Sequence, residues 1–198
     1  YDNSFNPSSF NGEEMEDFIF PGPVSSPAPL YCFDQTRPVA PEFMAAISQA
    51  VQRNFGDRYD TGARWPGTYG APITLTWSLV PDGTIVPSSP GNTAPSNLFA
   101  TMDAKFSTPG QGGRAAWINH IQSCFNRWAA ITGTSYVRVR FGSAEWDDGA
   151  VFPQAGAQAG VRGDIRIGGC NVDGAGGGVL AFAFLPFNGG DMVLDTTE

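Results

Sequence analysis

Glycine-bounded apolar segments near the end of the chain limit most strongly what it can fold into. Between residues 163 and 195 lie three short apolar runs, GDIRIGG, GVLAFAFLP and DMVLD. Runs of this length, bounded by Gly and Asn, are typical of β-strands. The segment CNVDGAGGG, between the first two runs, is too rich in glycine to form a helix or a strand. Residues 163–169, 178–186 and 191–195 therefore predict three strands joined by loops.

The residues upstream predict two further strands and two helices. The strands are ITLTWSLV (73–80) and SYVRVRFG (135–142), in which β-branched, aromatic or alternating apolar side chains predominate. The helices cover residues 41–55 and 114–132, where apolar side chains recur every three or four residues. The longer helix carries one apolar stripe, made of Trp117, Ile121, Cys124, Phe125 and Trp128.

We expect an α+β fold in which one long helix packs on a twisted, mixed five-stranded sheet. This domain spans residues 65–198, and residues 1–64 precede it as an extended arm and a helical segment. The arm, residues 1–30, is rich in Asn, Ser and Pro and has a small acidic run, yet it contains four Phe side chains and one Ile. Fully disordered tails hold few such side chains, so we expect the arm to dock on its own domain or on a like subunit.

Charge and hydropathy argue against two classes of partner. The formal net charge is -8 at pH 7, which disfavours binding to nucleic acid, since that requires a basic face, but leaves calcium open. No apolar run approaches the roughly 20 residues of a membrane-spanning helix. The first residue is Tyr1 rather than Met, which favours a mature N-terminus made by signal-peptide cleavage. We therefore expect a secreted, extracellular or cell-surface protein.

Three cysteines and one histidine restrict the redox and metal chemistry. An odd number of cysteines leaves at least one thiol without a partner in the chain. In an exported protein a disulfide from Cys32 to Cys124 or Cys170 is favoured, whereas the place of Cys124 on the apolar stripe predicts a core residue. The cysteines and the histidine form no sequence cluster, so they predict no zinc site. His120 lies off the stripe and is expected at the surface.

Carboxylates and glycines lie close together in the segments GDIRI, NVDGAGGG and FNGGDMVLDTTE. Calcium takes about six to eight oxygen ligands and mixes carboxylates with backbone carbonyls. Glycine loops let carbonyls turn inward, because glycine accepts unusual dihedral angles. The pattern favours a calcium site; the alternative is that the same residues form only turns, in which Asp-Gly is common.

Residues 163–198 resemble the matrixins, the matrix-metalloproteinase-like branch of the metzincin zinc endopeptidases. The catalytic domain of that family carries an Asp-Ile strand, a DGPGGxLAHAF segment and a GGDxHFDxDE segment, where this chain has GDIRI, DGAGGGVLAFAF and GGDMVLDTTE. Upstream, ITLTWSLV is similar to the first strand of the family, and CFNRWAAITGTSYVRV, with Trp128, is similar to its first helix and second strand. The resemblance covers residues 65–198, with an expanded loop at 81–113.

This resemblance implies two structural calcium sites. The first would use the carboxylates of Asp195 and Glu198 with backbone carbonyls of Asp173, Gly174 and Gly176. The second would use Asp164 and Asp191 with a backbone carbonyl near Gly189.

The resemblance also implies which metal ligands are missing. Phe182 and Val193 stand where the family has histidines that bind a structural zinc, and the third such position falls near Cys170. We therefore expect no structural zinc and apolar packing in its place. The catalytic helix HExxHxxGxxH is absent from the sequence, so we expect no catalytic residue here. Catalytic zinc is expected only if residues follow Glu198.

In the matrixins the fourth strand lies at the sheet edge and pairs with extended substrate. The corresponding strand here is 178–184, with Leu180 and Ala181 at the pairing positions. Its partner would be a peptide or protein segment, or another segment of the same polypeptide such as the arm. The family also has a latency motif, PRCGxPD, whose Cys caps the zinc. The sequence LYCFDQTRP around Cys32 does not match that motif, which disfavours a thiol switch.

Two functions follow from these residues. The first is the N-terminal portion of a secreted matrixin-like zinc metalloendopeptidase, which would not hydrolyse peptide bonds on its own. The alternative is a calcium-stabilised, non-catalytic extracellular scaffold or assembly subunit derived from the same fold. The alternative is favoured by the missing structural-zinc histidines and by the aromatic arm.

Overall fold

The described residues form an α+β fold with three helices and a mixed six-stranded sheet. The computed structural model describes residues 30–34, 36–54, 65–68, 70–153, 157–186 and 189–198. The arm predicted at residues 1–30 lies outside these ranges except for its last residue. No helix in the described ranges is long and apolar enough to cross a membrane.

The helices and strands of the described ranges are numbered in chain order. The helices are α1 (Pro41–Asn54), α2 (Leu98–Lys105) and α3 (Gly113–Thr132). The strands are β1 (Leu30–Phe33), β2 (Thr74–Leu79), β3 (Ile85–Pro87), β4 (Thr93–Pro95), β5 (Ser135–Arg138), β6 (Ile165–Cys170), β7 (Val179–Ala183) and β8 (Met192–Asp195). The two predicted helices and the five predicted strands are all present, with ends that differ by a few residues.

The main sheet has the strand order β1-β7-β8-β6-β2-β5. Strands β5, β2, β6 and β8 are parallel neighbours. Strand β7 is antiparallel to β8 on one side and to β1 on the other. Strand β7 would therefore be the outer strand of the sheet if β1 did not cover it.

The prediction of five strands missed β1 and a small hairpin. LYCF forms a strand because β7 offers it an open edge, which the four letters themselves do not reveal. Inside the predicted loop 81–113, β3 and β4 form a separate two-stranded hairpin and α2 follows it. The carboxylate of Asp82 accepts hydrogen bonds from the backbone N–H groups of Phe99 and Ala100, both at 2.9 Å, and so caps α2 from a distant turn.

Two apolar cores lie on the two faces of the sheet. The first core contains Phe43 and Ile47 of α1 with Val179, Phe182 and Val193 of the sheet. The second core contains Leu98 and Phe99 of α2 and Trp117, Ile118 and Phe125 of α3, packed on Leu75, Trp77, Leu79, Ile165 and Ile167. Alternate side chains along a strand point to opposite faces, so α1 lies on one face and α3 on the other.

The predicted apolar stripe of α3 is buried only in part. Trp117 and Phe125 are in the core, but Trp128 is 58% exposed and Cys124 is exposed, so the prediction of Cys124 as a core residue is wrong. The stripe is exposed toward the C-terminal end of the helix, at Trp128 and, beyond it, Ile131. Cys32, Cys124 and Cys170 are all free thiols, and the predicted disulfide is not formed. His120 is exposed, as predicted.

A buried ion pair ties the loop after β5 to the centre of the sheet. Arg166 of β6 and Asp147 are both almost completely buried, and the guanidinium donates to the carboxylate at 2.8 Å and 3.1 Å. The same guanidinium donates to the backbone carbonyls of Ala150 and Val151 at 3.0 Å and 2.9 Å. The hydroxyl of Ser78 donates to Asp147 at 2.8 Å. Each buried charge is therefore paired and hydrogen-bonded, as burial requires.

Candidate calcium site and the β7 edge

Two carboxylates accept hydrogen bonds from the backbone of the glycine-rich loop that joins β6 to β7. Asp195, at the end of β8, accepts hydrogen bonds through Oδ2 from the backbone N–H groups of Val172 and Asp173, at 3.1 Å and 3.3 Å. Asp173 accepts through its own Oδ2 from the N–H groups of Gly178 and Val179, at 3.0 Å and 3.2 Å. The predicted calcium ligands Asp173 and Asp195 are therefore brought together, at the carboxyl ends of β6 and β8.

Glycine is required in this loop for two different reasons. Gly174 has φ 87°, which residues with a side chain rarely adopt. A Cβ on Gly177 would lie 2.1 Å from Cγ of Asp173 and 2.2 Å from both its oxygens. The loop can therefore fold around the Asp173 carboxylate only because Gly177 has no side chain. Gly176 is exposed, and a Cβ placed there would meet no atom within 4 Å.

Two carboxylate oxygens in this region are buried without a hydrogen-bond donor in the described residues. They are Oδ1 of Asp173 and Oε1 of Glu198. Burial raises the pKa of the Asp173 carboxyl above its ordinary value, and the adjacent Asp195 carboxylate raises it further, against the lowering effect of two N–H donors. Buried oxygens without donors are costly, and a hard cation is one group that satisfies them. These two oxygens are compatible with the first predicted calcium site, which stays a prediction.

Glu198 is in contact with two basic side chains. Its side chain is only 7% exposed, and Oε2 accepts a hydrogen bond from Nη1 of Arg37. Its backbone carbonyl accepts from Nζ of Lys105. Within the described ranges, no group of three or more His, Cys, Asp or Glu side chains is arranged to hold a metal ion. Calcium at this place would therefore also need the backbone carbonyls that the resemblance implies.

The carboxylates of the second predicted calcium site accept hydrogen bonds from two strands of the sheet. Oδ2 of Asp164 accepts hydrogen bonds from the backbone N–H and the hydroxyl of Thr76 on β2, at 2.7 Å and 2.8 Å. Oδ1 of Asp191 accepts from the backbone N–H of Arg166 on β6 at 2.8 Å. Gly189 lies in a turn with φ 95°, and its N–H donates to the carbonyl of Pro186 at 3.0 Å. The two carboxylates bond to different strands, and this second site stays a prediction.

Apolar side chains fill the positions where the resembled family has zinc-binding histidines. Phe182 and Val193 are 2% and 0% exposed and face each other across β7 and β8. Both belong to the first core, together with Cys170, whose pKa is raised by burial to about 11. A buried neutral thiol of this kind is unreactive.

The predicted substrate edge is occupied by a segment of the same chain. Strand β1 runs antiparallel to β7 in the register Leu30 to Ala183, Tyr31 to Phe182 and Cys32 to Ala181. Ala181, one of the two predicted pairing residues, lies between Cys32 of β1 and Leu194 of β8. Leu180 is 38% exposed. Occupation of this edge by the arm is one alternative that the sequence predicts, and the segment that pairs begins at Leu30, the last residue of the arm.

An open apolar groove of about 470 Å³ lies between α3 and the sheet, on the face opposite α1. Side chains of α2, α3, β5, β6 and β8 line it, and they are almost all apolar. They are Met102, Phe106, Trp117, His120, Ile121, Cys124, Phe125, Trp128, Tyr136, Ile165, Ile167, Met192 and Leu194. Sequence reasoning missed this groove, although the apolar stripe of α3 continues to Trp128 and, beyond it, to Ile131, which is 75% exposed. The sequence feature that could have revealed the groove is the apolar stripe, because it continues along the helix beyond the residues packed in the core.

No protein-family model, curated protein or solved structure matches the chain. The resemblance to the matrixins therefore rests on the sequence motifs alone.

Proposed function

We propose that this chain is the N-terminal portion of a secreted, calcium-stabilised, matrixin-like zinc metalloendopeptidase. In this role it forms one wall of a substrate cleft and does not hydrolyse peptide bonds on its own. Its 198 residues include a single histidine, His120, which is exposed and has no second histidine to bind zinc with. In this proposal, zinc binding and peptide hydrolysis are carried out by residues outside this sequence. This chain aligns the substrate and forms a rigid frame.

The pairing of β7 with an extended segment is the observation that carries the proposal. A strand that binds substrate by β-augmentation must offer one free row of backbone N–H and C=O groups to an extended peptide. Strand β7 offers such a row, because β8 uses only its other side. Four residues of the same chain, Leu30–Phe33, already bind there antiparallel. A peptide substrate would use the same row.

The open groove beside α3 supports the same proposal. Exposed large apolar side chains that line one continuous depression are unusual on a self-sufficient domain. Trp128 and Ile131 of α3 are exposed at its end. In a matrixin-like protein the zinc-binding helix follows the last strand of this sheet, and this groove would receive it. Zinc held by that helix would supply an activated water for hydrolysis.

A second function, the calcium-stabilised scaffold, is favoured by one specific observation. Phe182 and Val193 replace zinc-binding histidines with buried side chains that pack in the first core. A protein that no longer used its sheet to hold metal near a cleft would tolerate such replacements. In that case β7 and the groove would join subunits rather than bind substrate.

Peptidase activity of the longest product of the gene separates the two functions. We expect that product to hydrolyse an unfolded protein substrate, to lose this activity with a zinc-selective chelator, and to regain it when zinc is restored. Calcium should be held constant and in excess in every sample, because loss of calcium would unfold the domain under either function. Absence of zinc-dependent hydrolysis would refute the peptidase proposal and leave the scaffold.

A further inference from the structure

The apolar groove beside α3 ends at an arginine that is not paired with any described carboxylate. A second depression of about 320 Å³ shares Cys124 and Trp128 with the groove and is also lined by Arg127 and Ile131. Every other arginine whose side chain the structure describes pairs with a carboxylate, whereas Arg127 pairs with none in the described residues. No Asp or Glu is among the described residues that line the groove or the depression, although the net charge is -8. This surface therefore suits a segment that is both apolar and acidic.

The strand directions bring the arm to the same end of the sheet as the exposed end of α3. Strands β5, β2, β6 and β8 are parallel, so they begin at one end of the sheet. Helix α3 ends at Thr132 and β5 begins at Ser135, which places the C-terminal end of α3 there. Strand β1 is antiparallel to β7, as β8 is, and Leu30 pairs with Ala183, which pairs with Met192. The arm therefore joins β1 at that end, in line with Met192 in the groove wall.

The groove lies within reach of the arm. Neighbouring strands are about 4.8 Å apart, so β6, the third strand from β1, is about 14 Å away and β5 is about 24 Å away. The three apolar residues FIF (18–20) lie ten to twelve residues before Leu30. Because an extended chain covers about 3.3 Å per residue, ten residues span up to about 33 Å. The arm can therefore bring residues 18–20 to the groove without full extension.

The composition of the arm matches the groove. EEMED (13–17) carries four carboxylates, and FIF follows it directly. Burial of apolar surface is favourable by about 25 cal/mol per Å², so three consecutive large apolar side chains gain from an apolar groove. The acidic neighbours would lie near Arg127. A tethered segment also has an effective concentration of about a millimolar at its target, which favours the arm over a separate molecule of similar affinity.

We infer that residues 18–20 of the arm dock in the groove beside α3, with the acidic residues 13–17 near Arg127. The inference goes beyond the proposed function and does not rest on it, since it concerns this chain alone. In a longer matrixin-like protein, the arm would have to leave the groove before the zinc-binding helix could enter it. The arm would then hold that protein inactive until it was displaced.

The reactivity of Cys124 tests whether the arm covers the groove. Cys124 lines both the groove and the depression and is exposed in the described residues. Cys32→Ser removes the other exposed thiol, and Cys170 is buried. In this background we expect the joint replacement of Phe18 and Phe20 by Ser to speed the maleimide reaction of Cys124 about tenfold, because two apolar anchors are lost. Cys170 should stay unreactive in every variant, which shows that the core is intact.

The matched control replaces Phe5 and Phe10 by Ser, which removes the same atoms from the arm outside residues 18–20. This control should leave the reaction rate unchanged. Arg127→Gln should speed the reaction when the arm is unmodified and have a smaller effect when Phe18 and Phe20 are Ser. Comparison within this cycle separates the contact with the arm from any effect of Arg127 on the thiol itself.

Three outcomes would overturn the inference. One is an equal Cys124 rate in the unmodified chain and in the variant with Ser at 18 and 20. Another is an equal acceleration by the control pair. The third is a rate in the unmodified chain that rises on dilution, since a second copy would then be the occupant. Zinc-dependent hydrolysis by the longest gene product is measured separately, so failure of this inference and failure of the proposed function are distinguishable.

Discussion

Replacing Arg166 with methionine is expected to destabilise the domain by about 3–5 kcal/mol, the cost of removing one partner from a buried ion pair. Methionine has a similar length and fills the space, so the loss is mainly electrostatic. Asp147, which is 1% exposed, would keep a charge without its guanidinium. The backbone carbonyls of Ala150 and Val151 would also lose their donor. Urea unfolding at pH 7 measures the change.

Arg162→Met is the matched control for this prediction. Arg162 pairs with Asp148 at 2.6 Å, but their side chains are 15% and 21% exposed and stay in contact with solvent. A pair of this kind contributes about 1 kcal/mol or less. Equal losses from Arg166→Met and Arg162→Met would mean that burial of the Asp147 pair does not determine its effect.

Replacing Gly177 with alanine is expected to cost about 1–3 kcal/mol, as overpacking of a fitted site does. The new Cβ would fall within 2.2 Å of the Asp173 carboxylate oxygens. Asp173 would have to move, and Gly178 and Val179 would lose the acceptor of their N–H groups. Thermal and urea unfolding, both in the presence of a calcium chelator, measure this loss without a contribution from metal binding.

Gly176→Ala is the control one residue earlier in the same loop. Its Cβ would meet no atom within 4 Å, and the residue is exposed. Its effect on stability should stay within about 0.5 kcal/mol, as for most surface substitutions. If Gly176→Ala destabilises as much as Gly177→Ala, the loss comes from the flexibility of the glycines and not from the Asp173 contact.

The strands of the main sheet could be predicted because their own residues specify them. Residues 165–170, 179–183 and 192–195 are apolar and end at glycines or polar turn residues, so no distant partner is needed to recognise them. Strand β1 and helix α2 are different. The edge of β7 makes LYCF a strand, and Asp82 caps α2 from outside the helix. Neither contact can be read from local sequence.

The candidate calcium site could likewise be predicted only where local sequence specifies it. The proximity of Asp173 and Asp195 could be predicted, because their spacing relative to glycines and strands matches a motif. The pairing of Glu198 with Arg37 could not, since it joins residues 161 apart and depends on the path of the chain over the glycine-rich loop. The exposed end of the α3 stripe was misjudged for a related reason. Periodicity shows that Cys124 and Trp128 share a face with Trp117, but not how far the sheet extends beneath them.

The dependence of thermal unfolding on calcium tests the central claim most directly, since that claim is a calcium-stabilised frame built on Asp173, Asp195 and Glu198. A ligand at about 100 times its Kd stabilises the folded state by about 2.7 kcal/mol. For a domain of this size, this raises Tm by roughly 5–10 °C. We predict a saturable rise in Tm with calcium, and none of this size with magnesium, whose smaller coordination shell suits the site less well. An identical Tm in saturating calcium and in chelator would contradict the calcium site, and the strands would then stand without it.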